Sequence, residues 1–266
     1  MMNVVSYGAG VQSTALLVLA AQGEIDVKTF LFANVGEDSE NPATLDYFHN
    51  VAMPYAQQHD IDLIELQKIR RNGERDTLYQ TITRPQSRSV PIPVRVSNGA
   101  PGNRSCTADF KIQVIAKWLK SHGATAKNPA NVHLGISLDE FQRMRTSQIK
   151  HQINVYPLID RRLNRQDCMN IISRAGVPVP PKSSCWFCPF HNMSVWREMA
   201  DHEPELFQRA CTLESFINER RAKLGLSQVW LSGRLVPLAK AVGDMTQGKL
   251  FDMEPTCDSG GYCEVA

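Results

Sequence analysis

The apolar positions in the first half of the chain alternate between two periods. Short segments rich in apolar residues, which we predict to be strands, recur at 3–6, 28–36, 61–66, 131–137 and 153–160. Between them lie segments with helical spacing of apolar residues, at 13–22, 41–60 and 107–123. This alternation predicts an α/β fold, with a Rossmann-like, mostly parallel sheet and helices on both faces. Ligands of such sheets bind beyond the carboxyl ends of the strands.

The pattern changes in two places. Residues 68–104 have little periodicity and carry eight basic residues against only Glu74 and Asp76. After residue 176 the strand rhythm stops at a proline- and cysteine-rich stretch, and helical segments follow at 192–224. We therefore predict a nucleotide-binding domain over 1–176 and a smaller, helical, cysteine-bearing C-terminal domain over 177–266.

The composition and the net charge exclude some classes of protein but do not identify one. The 266 residues carry a formal net charge of +2, so overall charge does not indicate a nucleic-acid-binding protein. No apolar stretch approaches the roughly 18–20 residues of a membrane span, and no secretory leader is recognised, so we expect a cytoplasmic protein without membrane partners. Seven cysteines in a reducing compartment predict metal ligands and core residues rather than disulfides.

The first junction between strand and helix is a candidate phosphate site. Gly8, Ala9 and Gly10 follow the first strand, and helical spacing resumes at Ser13 and Thr14. Glycines let the backbone approach an anion, and a helix N-terminus offers unpaired N–H groups. No lysine follows as in a GxxxxGK[ST] loop, and Ser13 replaces the third glycine of GxGxxG. The alternative is an ordinary turn in which Ser13 caps the helix.

Motifs spread over nearly the whole chain resemble a known family. The segment from Ser6 to Ser13 resembles the pyrophosphate loop, S-F-S-G-G-K-D-S, of the adenine nucleotide alpha hydrolase (PP-loop) superfamily, with Val11 and Gln12 at the lysine and aspartate positions. "FANVGEDSENPATLDYF" and "RSCTADFKI" are similar to elements of its PAPS reductase-like branch, of bacterial or phage type. "GISLDEFQRM", "YPLID" and "CWFCPFHNMSVW" extend the resemblance.

The resemblance implies the ligand-binding residues. An adenine nucleotide, ATP or a relative, would contact the first loop and the end of the second strand through Ser6, Gly8, Ala9, Gly10, Gln12, Ser13, Thr14, Asn34 and Glu37. Candidate catalytic residues are Lys111 and Arg104, to hold a phosphate or sulfate, and Asp139, to orient Mg²⁺ or a ribose. Their alternatives are a solvated helix face and a helix N-terminus that favours acids.

The cysteines allow three interpretations. Cys185 and Cys188 form a CxxC pair, and Cys106 lies 79 positions before it, a separation that resembles the iron–sulfur branch of sulfonucleotide reductases. A [4Fe–4S] cluster would use these three and Cys263 or Cys257. A structural Zn²⁺ would use the CxxC pair with both tail cysteines, and a redox CxxC would need no metal. Cys168 and Cys211 are predicted core residues.

The implied function is that of a PP-loop ATP pyrophosphatase-type enzyme with Mg²⁺. It would adenylate a substrate and support sulfur transfer in an iron–sulfur-dependent way. One alternative is a sulfonucleotide (PAPS or APS) reductase, and another is a non-catalytic partner protein that binds nucleotide and zinc. The basic 68–104 segment suggests a nucleic acid acceptor, tRNA or DNA; a small sulfonucleotide held by arginines is the alternative. No oligomeric state is predicted.

Overall fold

The computed structural model describes residues 1–243, so the predicted tail ligands Cys257 and Cys263 lie outside the described residues. The chain divides into two compact units. The first comprises Met1–Asp76 and Thr107–Ser184. The second comprises Thr77–Cys106 and, within the described residues, 185–243.

The first unit is built on a five-stranded, all-parallel sheet, which confirms the predicted α/β class. Its strands are β1 (Asn3–Tyr7), β2 (Thr29–Asn34), β3 (Asp62–Gln67), β4 (Ala130–Leu134) and β5 (Gln152–Val155). They lie in the order β3-β2-β1-β4-β5, with β1 in the centre. Val5 of β1 pairs in register with Phe30 of β2 and with His133 of β4. The chain order reverses direction at the β1–β4 boundary, where doubly wound sheets bind their ligands.

Helices pack on both faces of this sheet, as predicted. The helices of the first unit are α1 (Val11–Ala21), α2 (Pro42–Tyr47), α3 (Met53–Gln58), α6 (Gln113–Ser121), α7 (Pro157–Asp160) and α8 (Arg165–Arg174), and a 3₁₀ helix spans Leu138–Arg143. Successive strand residues point to opposite faces, because the side-chain period of a strand is two. Val5 and Tyr7 join the core under α1, whereas Val4 joins the core under α6.

The helix predicted over 41–60 forms over residues 42–58 and accommodates Pro54 without ending. Proline has no N–H, so it cannot bond to the carbonyl four residues earlier. The chain accommodates it with a π-helical turn, Phe48–Ala52, between α2 and α3, in which Met53 N–H bonds to Phe48 O. A second π-helical turn, Ala108–Ile112, links α5 (Ser105–Thr107) to α6.

The second unit combines the rest of the basic segment with the C-terminal helices. It contains α4 (Leu78–Ile82), α9 (Met193–His202), α10 (Pro204–Lys223) and α11 (Leu238–Gly243). Two backbone hydrogen bonds tie Arg95 to Trp230, of 2.7 and 3.0 Å. The buried guanidinium of Arg220 on α10 donates to the carbonyls of Ile82 and Arg84.

The unit boundaries therefore differ from the predicted single boundary after residue 176. Residues 77–106 belong to the second unit because their backbone pairs with residues more than a hundred positions later. Residues 177–184 belong to the first. In residues 1–243, no helix combines the length and the apolar character that a membrane crossing requires.

Candidate functional site

The loop at the carboxyl end of β1 is shaped by its two glycines and Ala9. Ala9 has a φ of 55°, in the left-handed region, and Gly10 is extended and caps α1. Thr14 N–H closes the first helical bond to Gly10 O, at 2.9 Å. The N–H groups of residues 11–13 precede that bond, so they have no partner within the helix. Together with the helix dipole they favour an anion at this end of β1.

The two hydroxyls of the loop stabilise the turn itself. Ser13 Oγ lies 3.2 Å from Gly10 N and 3.1 Å from Gly10 O. Thr14 Oγ1 lies 3.1 Å from the hydroxyl of Tyr7, whose pKa is raised by burial. Both hydroxyls are buried. The structure thus engages the two predicted hydroxyl ligands in hydrogen bonds within the protein, so the backbone N–H groups at the start of α1 are the remaining candidate donors to an anion.

The loop after β4 lies against the start of α1. A Cβ atom at Gly135 would stand 2.8 Å from Ser13 N and 3.1 Å from the carbonyl carbon of Gln12. Both are backbone atoms, which cannot move away as the end of a flexible side chain can. Glycine at 135 therefore lets the β1 and β4 loops meet at the point where the strand order reverses.

Gln12 connects these two loops through its side-chain amide. The side chain is fully buried. Its Nε2 lies 3.2 Å from Glu140 Oε2 and 3.4 Å from Ser137 Oγ, while its Oε1 accepts from Arg165 Nη1 at 3.1 Å. A carboxylate could accept from Arg165 but would repel Glu140. The neutral amide thus explains why this chain has glutamine where the resembling loop has aspartate.

Arg143 ends this network as a buried guanidinium. Its Nη1 lies 2.7 Å from Glu140 Oε1, and its side chain is 6% exposed. Its Nε and Nη2 are buried without a hydrogen-bond partner. The predicted residue Asp139, in contrast, is exposed and accepts from the backbone N–H of Arg165, the first residue of α8, at 2.9 Å. Its position matches the helix N-terminus alternative.

The β2 end holds Asn34 in a fixed orientation. Asn34 Nδ2 donates to Glu65 Oε1 at 2.7 Å, and its Oδ1 accepts from Gly36 N at 2.8 Å. Glu37, predicted to contact the nucleotide, is exposed. Glu40 is 1% exposed, and neither of its carboxylate oxygens has a hydrogen-bond partner.

A short segment links the β1 and β2 ends. Ser183 Oγ donates to Gly8 O, and Asn41 N–H donates to Ser184 O at 3.1 Å. Glu40 therefore lies next in the chain to a residue held by the same segment that contacts the loop. Sequence reasoning missed Glu40, Ser183 and Gly135; a glycine inside the strand predicted over 131–137 was the available signal for the last.

The cysteines nearest to a metal-site pattern lie in the second unit. Cys188 N–H bonds to Cys185 O at 3.1 Å, so the CxxC pair forms a tight turn, with Trp186 and Phe187 between them fully buried. Cys106 is also half-buried, and its N–H donates to Pro91 O at 2.9 Å. Within residues 1–243, no three metal-ligating side chains are grouped so as to hold an ion.

Cys168 and Cys211 are buried, as predicted. Burial raises the pKa of Cys211 to about 11. A thiol with this pKa stays protonated at neutral pH, so it is a poor nucleophile and a poor metal ligand.

The basic residues of 68–104 are divided between the two units. Lys68 and Arg70, in the first unit, both pair with Asp76, at 3.5 and 2.6 Å. In the second unit Arg95 and Arg104 lie over the ring of Phe190, at 5.7 and 5.5 Å from its centre. The predicted catalytic pair is divided in the same way, because Arg104 belongs to the second unit and Lys111, half-buried in the second π-helical turn, to the first.

Comparison of the chain with protein-family models, curated proteins and solved structures finds no match. The family resemblance accordingly remains an expectation that rests on the sequence motifs.

Proposed function

We propose that the first unit binds an adenine nucleotide, with its phosphates over Gly8–Gly10 and the N-terminus of α1. The observation that carries the proposal is the close approach of Gly135 to Ser13 N, which brings the β1 and β4 loops together where the strand order reverses. Backbone amides and a helix N-terminus are the groups that bind phosphates in such crevices.

The reaction that fits the resemblance is adenylation followed by sulfur transfer. A substrate oxygen would attack the α-phosphorus, the bond from that phosphorus to its β-bridging oxygen would break, and pyrophosphate would leave with the bonding electrons. Hydrosulfide from a sulfur donor would then attack the carbon that bears the adenylated oxygen and form a C–S bond, while the C–O bond breaks and AMP leaves with that oxygen and the bonding electrons. The chain itself would position the nucleotide and the substrate for this reaction. Its loop amides and the buried guanidinium of Arg143 would stabilise the phosphate charge.

Glu40 is the residue that fits a magnesium ion. Mg²⁺ in nucleotide sites is usually held by one or two carboxylates together with substrate phosphates and water. Glu40 offers a buried carboxylate without hydrogen-bond partners, beside the segment that contacts Gly8. Bound there, the ion would neutralise phosphate charge.

An iron–sulfur cluster has weaker support from the described residues. The CxxC turn supplies two thiolates, but no group of three ligands is formed within residues 1–243. A four-thiolate site would need a tail cysteine, and no step of the proposed reaction is assigned to it.

The binding proposal is tested at Gly8. A Cβ there would meet only Ser13 Oγ, at 3.9 Å, so Gly8→Ala fits without strain. Gly8→Asp places a negative charge in the proposed phosphate site. By calorimetry we expect ATP to bind wild type and Gly8→Ala with similar affinity and Gly8→Asp at least about tenfold more weakly, since a like charge replaces open space. Equal affinity of Gly8→Asp and Gly8→Ala would contradict the loop assignment.

The chemistry is tested by product analysis. Release of pyrophosphate from ATP in the presence of an acceptor supports adenylation. Conversion of PAPS to sulfite and adenosine bisphosphate, with a dithiol as reductant, would support the reductase alternative. A tRNA or DNA acceptor would show a steep salt dependence of binding, with a slope of log K against log salt near −0.7 to −0.9 per phosphate contact, whereas a small nucleotide would not.

A further inference from the structure

Arg143 has an unfilled bidentate edge in the interior of the first unit. A guanidinium presents two parallel N–H groups, from Nε and one Nη, along one side. Glu140 occupies Nη1 of Arg143, at 2.7 Å, and leaves Nε and Nη2 buried with no hydrogen-bond partner. A buried guanidinium with donors unsatisfied is costly, unless a ligand supplies the acceptors.

The position of Arg143 is fixed relative to the β1 loop. Glu140 holds Nη1 with one carboxylate oxygen and accepts from Gln12 Nε2 with the other, at 3.2 Å. Gln12 is the second residue of α1, whose N-terminus faces the proposed phosphate site. A single carboxylate thus links the guanidinium to the start of α1.

We infer that Arg143 binds a phosphate group through its Nε–Nη2 edge. The inference rests on the proposed function, in which that phosphate belongs to the nucleotide. A phosphate offers two oxygens at the spacing of the two parallel N–H groups. Its negative charge is complementary to the positive guanidinium of Arg143 and to the positive N-terminal end of the α1 dipole. Arg143 is then a ligand-binding residue, and Gln12 and Glu140 position it.

The test compares Arg143→Lys with wild type. Lysine keeps the charge and can pair with Glu140, but it lacks the bidentate edge. Titrated with pyrophosphate and with ATP, Arg143→Lys should bind about tenfold more weakly or worse, since hydrogen bonds to charged groups are lost. Adenosine, which has no phosphate, should bind both proteins equally. Arg145→Lys is the matched control, because Arg145 is exposed and its guanidinium donates to the carbonyls of Gln142 and Met144.

The outcomes separate the two proposals. Unchanged pyrophosphate and ATP affinity in a folded Arg143→Lys protein would overturn the inference while the nucleotide proposal stands. Pyrophosphate binding that needs Arg143, with ATP bound no better than pyrophosphate and adenosine not at all, would keep the phosphate site and overturn the nucleotide proposal. If Arg143→Lys does not fold, the Nε–H resonance of Arg143 in the wild-type protein serves instead. It should shift when pyrophosphate is added, and an unchanged resonance would overturn the inference.

Discussion

At the residue scale, the site depends on neutral and small side chains in places where charge or bulk would be incompatible. Gln12 lies between the carboxylate of Glu140 and the guanidinium of Arg165, and its amide satisfies both. Gly135 lies where a methyl group would collide with backbone. Both residues act by holding the β1 and β4 loops in place.

Gln12→Glu tests the first of these roles. It places a second carboxylate against Glu140, and we expect the free energy of unfolding to fall by about 1–3 kcal/mol at neutral pH, because a buried hydrogen bond becomes a repulsion. The double variant Gln12→Glu/Glu140→Gln restores a donor opposite the new carboxylate. In a urea-denaturation cycle its destabilisation should be smaller than the sum of the single effects by about 1 kcal/mol. Strict additivity would show that the two side chains do not interact.

Gly135→Ala tests the second role. Because the added methyl would lie 2.8 Å from Ser13 N, the loop or α1 must shift. We expect a loss of about 1–3 kcal/mol in unfolding free energy, typical of overpacking, together with weaker ATP binding. Gly8→Ala is the control for adding a methyl group near the site, because its methyl makes only an ordinary van der Waals contact. Wild-type stability and ATP affinity in Gly135→Ala would refute the close approach of the two loops.

Side-chain partnerships of this kind follow poorly from sequence. The strand–glycine–helix junction predicts an anion site, because that property belongs to the backbone. The unfilled edge of Arg143 depends on which nitrogen Glu140 occupies, and this is decided by contacts between residues far apart in the chain. For the same reason Ser13 and Thr14, predicted as phosphate ligands, proved to be bonded to Gly10 and Tyr7.

At the element scale, local patterns predict the first unit and miss part of the second. Four of the strands and most helices lie close to their predicted positions, because hydrophobic periodicity and helix-breaking residues are local signals. The strand predicted over 153–160 is wrong in its second half, because Pro157–Asp160 forms helix α7. Pro54 is accommodated by a π-helical turn within a continuous helix. No local sequence pattern predicts that residues 77–106 belong to the second unit. They are held there by the backbone hydrogen bonds between Arg95 and Trp230 and by the hydrogen bond that Arg220 donates to the carbonyl of Ile82.

Helix α10 fixes the chain that follows it through Glu214. This buried carboxylate accepts from the N–H groups of Leu231 and Leu238, each at 2.7 Å. Burial raises the pKa of Glu214 above its ordinary value of 4.5. A raised folded-state pKa contributes stability below the unfolded-state pKa, and that contribution is lost as pH rises through the folded-state value.

The corresponding prediction is a pH-dependent difference in stability. Glu214→Gln cannot titrate, so the unfolding free energy of wild type minus that of the variant should be greatest below pH 4.5 and decline as pH rises towards neutrality. Denaturation at a series of pH values measures it. Glu219→Gln, on an exposed position of the same helix, is the control and should give a flat difference. A flat difference for Glu214→Gln as well would contradict the account of Glu214.

At the scale of the whole molecule, the two units carry different candidate chemistry. The loop after β1, Gln12, Glu140 and Arg143 belong to the first unit, and the CxxC turn and Cys106 belong to the second. Metal content distinguishes the hypotheses for the cysteines, and the full chain must be used because both metal hypotheses take a ligand from Cys257 or Cys263.

For the cluster hypothesis we expect about four iron atoms per chain after anaerobic purification, since a [4Fe–4S] cluster is bound by four thiolates. Cys185→Ser and Cys106→Ser should both lose the iron. Cys168→Ala, which changes a buried core cysteine, should retain it. A colourless protein with one zinc that survives Cys106→Ser would contradict the cluster and support the structural zinc alternative.

The central claim, that the loops after β1 and β4 together bind the nucleotide phosphates, is tested most directly by amide hydrogen exchange of the full chain with and without ATP. Ligand contact and loop ordering slow exchange of the amides involved. The account predicts protection of residues 8–14 and of 135–143 at an ATP concentration just sufficient to saturate the wild type, with both effects reduced in Gly8→Asp at that concentration. Saturable ATP binding that protects neither segment would contradict it.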